Sequence, residues 1–152
     1  MKEINGNIWN LQSGNLDSWI VIPTNGFVRQ NSENVMGRGL ALQAARKYPH
    51  LPLLLGRRLE KDGNRVYAFS TMHLFTFPVK HHFYDAADIK LIRISCQQIR
   101  LMVPTLPEEV RHQVPVYLPR VGCGNGKLKW ENVKPILAEY LDDRFTVVSW
   151  EA

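Results

Sequence analysis

The spacing of apolar residues along the chain switches between a period of two, as in a strand, and a period near 3.6, as in a helix. Lys2 to Ile8 and Trp19 to Pro23 read as strands, and Gly39 to Tyr48 reads as a helix with Leu40, Ala41, Ala44, Ala45 and Tyr48 on one face. Pro49 ends it. Leu51 to Glu60 predicts a short helix started by Pro52, and "KDGN" a turn into a strand over Arg65 to Ser70. "HLFTFPV" predicts a further strand. In the next segment Ile89, Ile92, Cys96, Ile99 and Val103 recur at helical spacing, with Asp85 or Asp88 as the N-cap. A strand in "VPVYLPRV", the loop "GCGNGK", a helix over Trp130 to Leu141 and a strand in "RFTVVSW" complete the series. Strands and helices therefore alternate without a linker, repeat or low-complexity segment. The expectation is a single α/β domain over residues 1–152, with helices covering a mainly parallel sheet.

Composition narrows this picture little. The chain has 152 residues, of which 45% are hydrophobic and 22% charged, ordinary values for a globular domain able to bury a sizeable core. Cys96 and Cys123 are its two cysteines, far apart and without zinc-ligand spacing, which favours a reducing compartment. With no charged leader ahead of an apolar run and no membrane-span length, the expected location is the cytoplasm. The net charge of +5 and the pI near 9.4 suit an anionic partner, nucleotide, phosphate or nucleic acid. The basic residues are scattered, so charge alone is thin support for nucleic-acid binding.

The chemistry concentrates in two stretches. In "IVIPTNGFVRQNSENVMGRGLALQAA" an apolar strand ends at Pro23, Thr24, Asn25 and Gly26, and the chain later enters a helix through Gly37, Arg38 and Gly39. In the second, the strand "VPVYLPRV", with Pro119 near its end, leads to Gly122, Gly124 and Gly126, which precede a helix. Glycines allow positive φ and a close approach to backbone amides, and a helix N-terminus offers free N–H groups and a partial positive charge. Two such loops after strands of an α/β chain predict a diphosphate held between them at the strand ends. Neither the GxGxxG dinucleotide fingerprint nor the GxxxxGK[ST] phosphate loop is present, so a different kind of site is expected.

Taken together and in order, "VIPTNG", "VMGRGLALQAARKYP", "FPVKHHF" and "YLPRVGCGNGKLKWENVKPIL" resemble the macro domain family, in particular its ADP-ribosyl glycohydrolase branch that includes the DNA-ADP-ribose-removing antitoxins. The resemblance runs from about Asn5 to the final strand. It implies a three-layer α/β/α sandwich with a six-stranded mixed sheet and an ADP-ribose cleft across the strand ends. It implies that Asn7 and Ile8 meet the adenine, with Asn7 standing where many macro domains carry aspartate. It further implies that Asn25 contacts the distal ribose and that Gly37, Arg38, Gly39, Leu40 and Ala41 form the first ligand loop. Gly122, Cys123, Gly124, Asn125, Gly126, Lys127 and Leu128 match the diphosphate-binding second loop.

Catalysis in this branch places a lysine beside the distal ribose, and Lys80 in "FPVKHHF" matches it, with Asn25 as its companion. An amine there can stabilise an opened sugar, protonate a leaving group or attack the anomeric carbon. Relatives that pair this lysine with an aspartate carry the acid where this chain has Gly126, whereas the DNA-specific branch does without it. Cys123 can be read as a helix-terminal nucleophile or as a small packing residue. Arg38 either clamps the diphosphate or solvates the loop rim, and Trp150 either covers the adenine or caps the core edge. Adjacent histidines such as His81 and His82 point to opposite faces of an extended segment, so no metal and no cofactor are expected.

The preferred expectation is a monomeric hydrolase that releases ADP-ribose from modified DNA, from protein or from a small conjugate. The alternatives are a reader that binds ADP-ribose without turnover, a phosphatase of ADP-ribose 1''-phosphate or deacetylase of O-acetyl-ADP-ribose, and a nucleic-acid-binding domain resting on charge alone. No membrane association is expected.

Overall fold

A strand that is apolar on both faces needs a helical layer on each side. Strand β2 (Trp19–Asn25) has that character: Trp19 and Val21 enter one hydrophobic cluster and Ile20 and Ile22 the other. In the computed structural model, which describes residues 1–103 and 115–150, β2 is flanked on both sides by parallel partners. The remaining strands are β1 (Lys2–Asn5), β3 (Tyr67–Phe69), β4 (Leu74–Lys80), β5 (Val116–Leu118) and β6 (Phe145–Ser149). They form one six-stranded sheet in the order β1-β6-β5-β2-β4-β3. Only the β3–β4 pair is antiparallel, so the sheet is mixed, as expected.

The described helices are α1 (Ile8–Gly14), α2 (Gly39–Lys47), α3 (Leu51–Asp62), α4 (Ile89–Met102) and α5 (Trp130–Tyr140). Ile8 of α1, Ala44 of α2 and Leu51, Leu55 and Leu59 of α3 bury against one face of the sheet. Ile92, Cys96 and Ile99 of α4 and Val133, Ile136 and Leu137 of α5 bury against the other. This is the three-layer α/β/α sandwich. Among the described residues no helix is long and apolar enough to cross a membrane.

Several boundaries differ from the sequence expectation for local reasons. The first strand stops at Asn5 rather than Ile8, because the Asn7 side chain accepts hydrogen bonds from the amides of Trp9 and Asn10 and so caps a helix that periodicity missed. The second strand continues past Pro23 to Asn25. Helix α3 runs on to Asp62, leaving Gly63 as its C-cap, and β3 keeps only three residues of the expected Arg65 to Ser70. Asp88, not Asp85, caps α4. The expected strand before the second glycine loop begins at Val114, outside the described residues, and its described part is Val116–Leu118.

After β2 the chain continues to β3, on the β4 side of the sheet, and after β5 to β6, on the other side, so it diverges between two adjacent parallel strands. Such a divergence opens a crevice at the carboxyl ends of those strands.

Candidate active site

A cleft of about 590 Å³ opens there. It is lined from the ends of β2, β4 and β5 and the loops that follow them, and it brings together most of the residues singled out in the sequence: Thr24, Asn25, Gly37, Arg38, Gly39, Leu40, Ala41, Lys80, Pro119, Gly122, Cys123, Gly124, Asn125 and Gly126. Pro23, Val35, Val79, Phe83 and Arg120 also line it and were not anticipated. The available signals were adjacency: Phe83 follows Lys80 by three residues, and Arg120 sits between Pro119 and the glycines.

The first loop offers an uncapped helix start. Arg38 is the N-cap of α2 but makes no side-chain capping bond, and Gly39 begins the helix at a φ of 56°. The first-turn amides therefore lack a side-chain acceptor, the condition under which a helix N-terminus takes up an anion.

The loop between Asn25 and α2 is built by asparagines. Asn25 Nδ2 donates to the carbonyl of Val35 at 2.8 Å, while its Oδ1 accepts from Phe27 N and from Asn34 Nδ2, each at 3.0 Å. Asn34, itself buried, also donates to the carbonyls of Asn25 and Phe27. Asn25 was expected to present its amide to a sugar. Its oxygen is already committed to the loop, and one Nδ2 hydrogen is left for the cleft.

The second loop differs from the expected glycine-to-helix junction. Gly124–Gly126 form a 3-10 turn, closed when Lys127, in the left-handed region, donates its N–H to Gly124 O, and α5 starts only at Trp130. The loop thus presents a turn of backbone to the cleft and no helix end. Gly124 has a φ of 70° with open space where a Cβ would stand. Gly126 is packed instead: a Cβ there would lie 2.9 Å from the Ala87 Cβ. Any side chain at this position would therefore have to displace Ala87.

Lys80 ends β4, half-buried, with its Nζ donating to the carbonyl of Asn125 at 3.3 Å. Burial first, and then the positive charges of Arg38 and Lys127, hold its pKa below the ordinary lysine value against an opposing pull from Asp85. Cys123 moves the other way. Burial raises its thiol pKa, Sγ faces the carbonyl of Val121, and the residue packs against the core, which suits the packing reading. Arg120 lies with its guanidinium 5.2 Å from the centre of the Trp130 ring. His81 Nε2 sits 2.9 Å from Asp88 Oδ2, and His82 is sandwiched among Phe27, Phe83 and Tyr84. Among the described residues no group of three His, Cys, Asp or Glu can hold a metal ion.

Five anticipated residues do not line this cleft. Asn7 is occupied in capping α1, and Ile8 is buried in the core. Lys127 closes the 3-10 turn, and Leu128 packs against the core beneath it. Trp150 is 70% exposed beyond the end of β6, which removes the core-capping alternative for it.

No family model matches the chain. It is 26% identical over 129 residues to a DNA ADP-ribosyl glycohydrolase of Thermus aquaticus, covering 79% of this chain and 34% of that protein. It is 29% identical over 123 residues to a protein of the same description from Mycobacterium tuberculosis, with 68% and 31% covered. The chain therefore spans about a third of the length of these curated relatives. Among solved structures, the macrodomain of Thermus aquaticus DarG superposes with a TM-score of 0.74 at 23% identity, covering 99% of this chain and 97% of that one. The macrodomain of Mycobacterium tuberculosis DarG gives 0.75 at 21%, over the same shares. Thermosipho africanus DarTG in complex with ADP-ribose gives 0.68 at 19%, covering 89% of this chain and 38% of that one. The chain thus has the macrodomain fold, and in sequence it is similar to DNA ADP-ribosyl glycohydrolases.

Proposed function

We propose that this chain hydrolyses the bond between ADP-ribose and a base of DNA. The observation that carries the reading is the position of Lys80, a lysine of lowered pKa at the end of a central strand, inside a cleft whose two walls are glycine loops. In this reading the diphosphate lies between the first turn of α2 and the Gly122–Gly126 backbone, and the distal ribose lies beside Asn25 and Lys80.

The chemistry follows from that placement. As the bond from the anomeric carbon to the base breaks, its electron pair goes to the base, and the Lys80 ammonium donates the proton that the base needs to leave. Water adds its hydroxyl to the anomeric carbon and returns a proton to Nζ, so the lysine is regenerated. A lowered pKa makes the ammonium a better acid. The curated relatives are described as DNA ADP-ribosyl glycohydrolases, and one structural neighbour is a complex with ADP-ribose, both of which support the substrate.

A reader without turnover is the second reading, favoured by the absence of an acid at Gly126. Incubation with ADP-ribosylated single-stranded DNA, ADP-ribosylated protein and ADP-ribose 1''-phosphate separates the two. Release of ADP-ribose from the DNA is the expected result. Tight binding with release from none of the three makes the chain a reader.

A further inference from the structure

Directly after Lys80 the chain exposes aromatic rings. Phe83 lines the cleft and is 43% exposed, and Tyr84 is 73% exposed, unusual surface for side chains of this size. They are not loose. His82 has its ring centre 3.8 Å from Tyr84 and 4.3 Å from Phe83, and Phe27 backs the group at 4.3 Å from His82 and 5.2 Å from Phe83. The turn beneath is fastened twice: the amide of His82 donates to Asp85 Oδ2 at 3.2 Å, and the amide of Asp85 donates to the His82 carbonyl at 3.1 Å. The Phe27 backing ties this ledge to the asparagine-built loop that follows β2, because Asn25 Oδ1 accepts from the Phe27 amide. The result is a packed aromatic step continuous with the cleft at its Lys80 end.

Position and chemistry together select what covers it. If the anomeric carbon lies at Lys80, the group attached to it extends past Lys80, where Phe83 forms the wall. Flat exposed rings held in place attract flat partners, and each nucleobase stacked on an aromatic side chain contributes substantially and without demanding a sequence. Bases of a duplex are already stacked on their neighbours, so only an unpaired strand can offer their faces. The positive charges of Arg38 and Lys80 in the cleft, and the net charge of +5, suit a phosphate backbone. We propose that Phe83 and Tyr84 form a stacking ledge for single-stranded DNA, with the leaving base against Phe83 and the adjoining base on Tyr84. The proposal rests on the placement of ADP-ribose given above and assigns the ledge the selection of DNA over other ADP-ribosylated substrates.

Binding to the Lys80→Ala chain tests this without interference from turnover. The ligands are a fluorescently labelled ADP-ribosylated single-stranded oligonucleotide, an ADP-ribosylated peptide and free ADP-ribose. Adding Tyr84→Ala should weaken the oligonucleotide about fivefold or more, the scale of one lost base stack. Peptide and free ADP-ribose should change less than about twofold, and Tyr84→Phe should restore oligonucleotide binding because the ring face is kept. Equal affinity for the oligonucleotide with and without the Tyr84 ring overturns the ledge, as does an equal loss for the peptide. Failure of the hydrolase reading shows separately: a parent chain that releases no ADP-ribose, yet binds the oligonucleotide in a Tyr84-dependent way, keeps the ledge and loses the enzyme.

Discussion

Asn25 and Lys80 stand opposite each other across β2 and β4 because the register between these strands shifts one residue earlier. Thr24 pairs with Pro78, so Val79 is the extra residue, and its carbonyl accepts from the amide of Asp88 at the start of α4. A bulge of this kind re-aims the side chain that follows it. It delivers Lys80 to the same cleft wall as the end of β2. If Lys80 acts only while the glycosidic bond breaks, its loss should appear in turnover and not in ground-state affinity. Lys80→Ala is expected to bind ADP-ribose within a few-fold of the parent and to release it from modified DNA slower by roughly a hundredfold or more. Calorimetry and a single-turnover assay on the same preparation check both halves.

The charge environment of Lys80 gives a pH prediction with a definite sign. A catalytic ammonium loses its proton as pH rises through its pKa, so turnover should fall on the alkaline side. Burial, Arg38 and Lys127 lower that pKa, so the fall should come below the pH at which an ordinary lysine titrates. Removing the Arg38 charge takes away one lowering influence. In Arg38→Ala the alkaline limb of kcat should therefore move to higher pH, whatever happens to its height. A limb that stays in place means that Arg38 does not act on Lys80.

The asparagine network predicts that Asn25 is needed for stability as well as for binding. Truncating it leaves the Val35 carbonyl and the Phe27 amide without their side-chain partner and removes one of the acceptors of Asn34, which keeps the carbonyls of Asn25 and Phe27. Each buried polar group left unpaired costs about 1–3 kcal/mol. Asn25→Ala and Asn34→Ala should both lower the thermal midpoint, and both should weaken ADP-ribose even though Asn34 does not line the cleft. A sugar contact alone would leave the midpoint of Asn25→Ala unchanged.

The glycines of the second loop separate by what a side chain would meet. At Gly124 a β-branched residue would sit in the left-handed region, which costs about 1–2 kcal/mol, and its atoms would enter open space on the cleft wall. Gly124→Val is expected to lose at least tenfold in ADP-ribose affinity, about 1.4 kcal/mol. Parent-like binding by that variant would remove the loop from the ligand cradle.

How far the sequence was legible depended on whether a feature was local. The long helices were readable because their apolar spacing repeats, as in Ile89, Ile92, Cys96 and Ile99, and the buried strands because their apolar runs are bounded by turn residues. Helix α1 was missed because it is short and its only strong signal is a single capping residue, Asn7, which the adenine assignment had claimed. The two glycine loops meet at one cleft, since both follow strands that end on the same edge. That Asn25 serves its own loop, and that the second glycine loop closes on itself before α5, depend on hydrogen bonds to Asn34, Val35 and Gly124, which pattern alone does not reveal. Phe83 and Arg120 escaped notice because single exposed residues carry no periodicity.

The close packing of Gly126 on Ala87 predicts that an acid is not tolerated at this position. A Cβ at this position would stand 2.9 Å from the Ala87 Cβ, closer than real carbons approach, while the Gly126 carbonyl accepts from the Ala87 amide at 2.9 Å and holds the two backbones together. Ala87 is itself buried among core residues ahead of α4, so it cannot swing aside. Gly126→Asp should therefore destabilise the chain by about 1–3 kcal/mol, the usual cost of overpacking, without raising turnover. For a domain of this size each kcal/mol lowers the midpoint by about 2–4 °C. Ala87→Gly removes the clashing methyl, so the double variant should recover part of the loss, and the two changes should couple instead of adding. If Gly126→Asp melts with the parent, the alanine does not exclude the acid. If it melts lower but gains turnover, a second catalytic group can be installed beside Lys80, and the lysine of the parent is working without a partner that the cleft is able to hold.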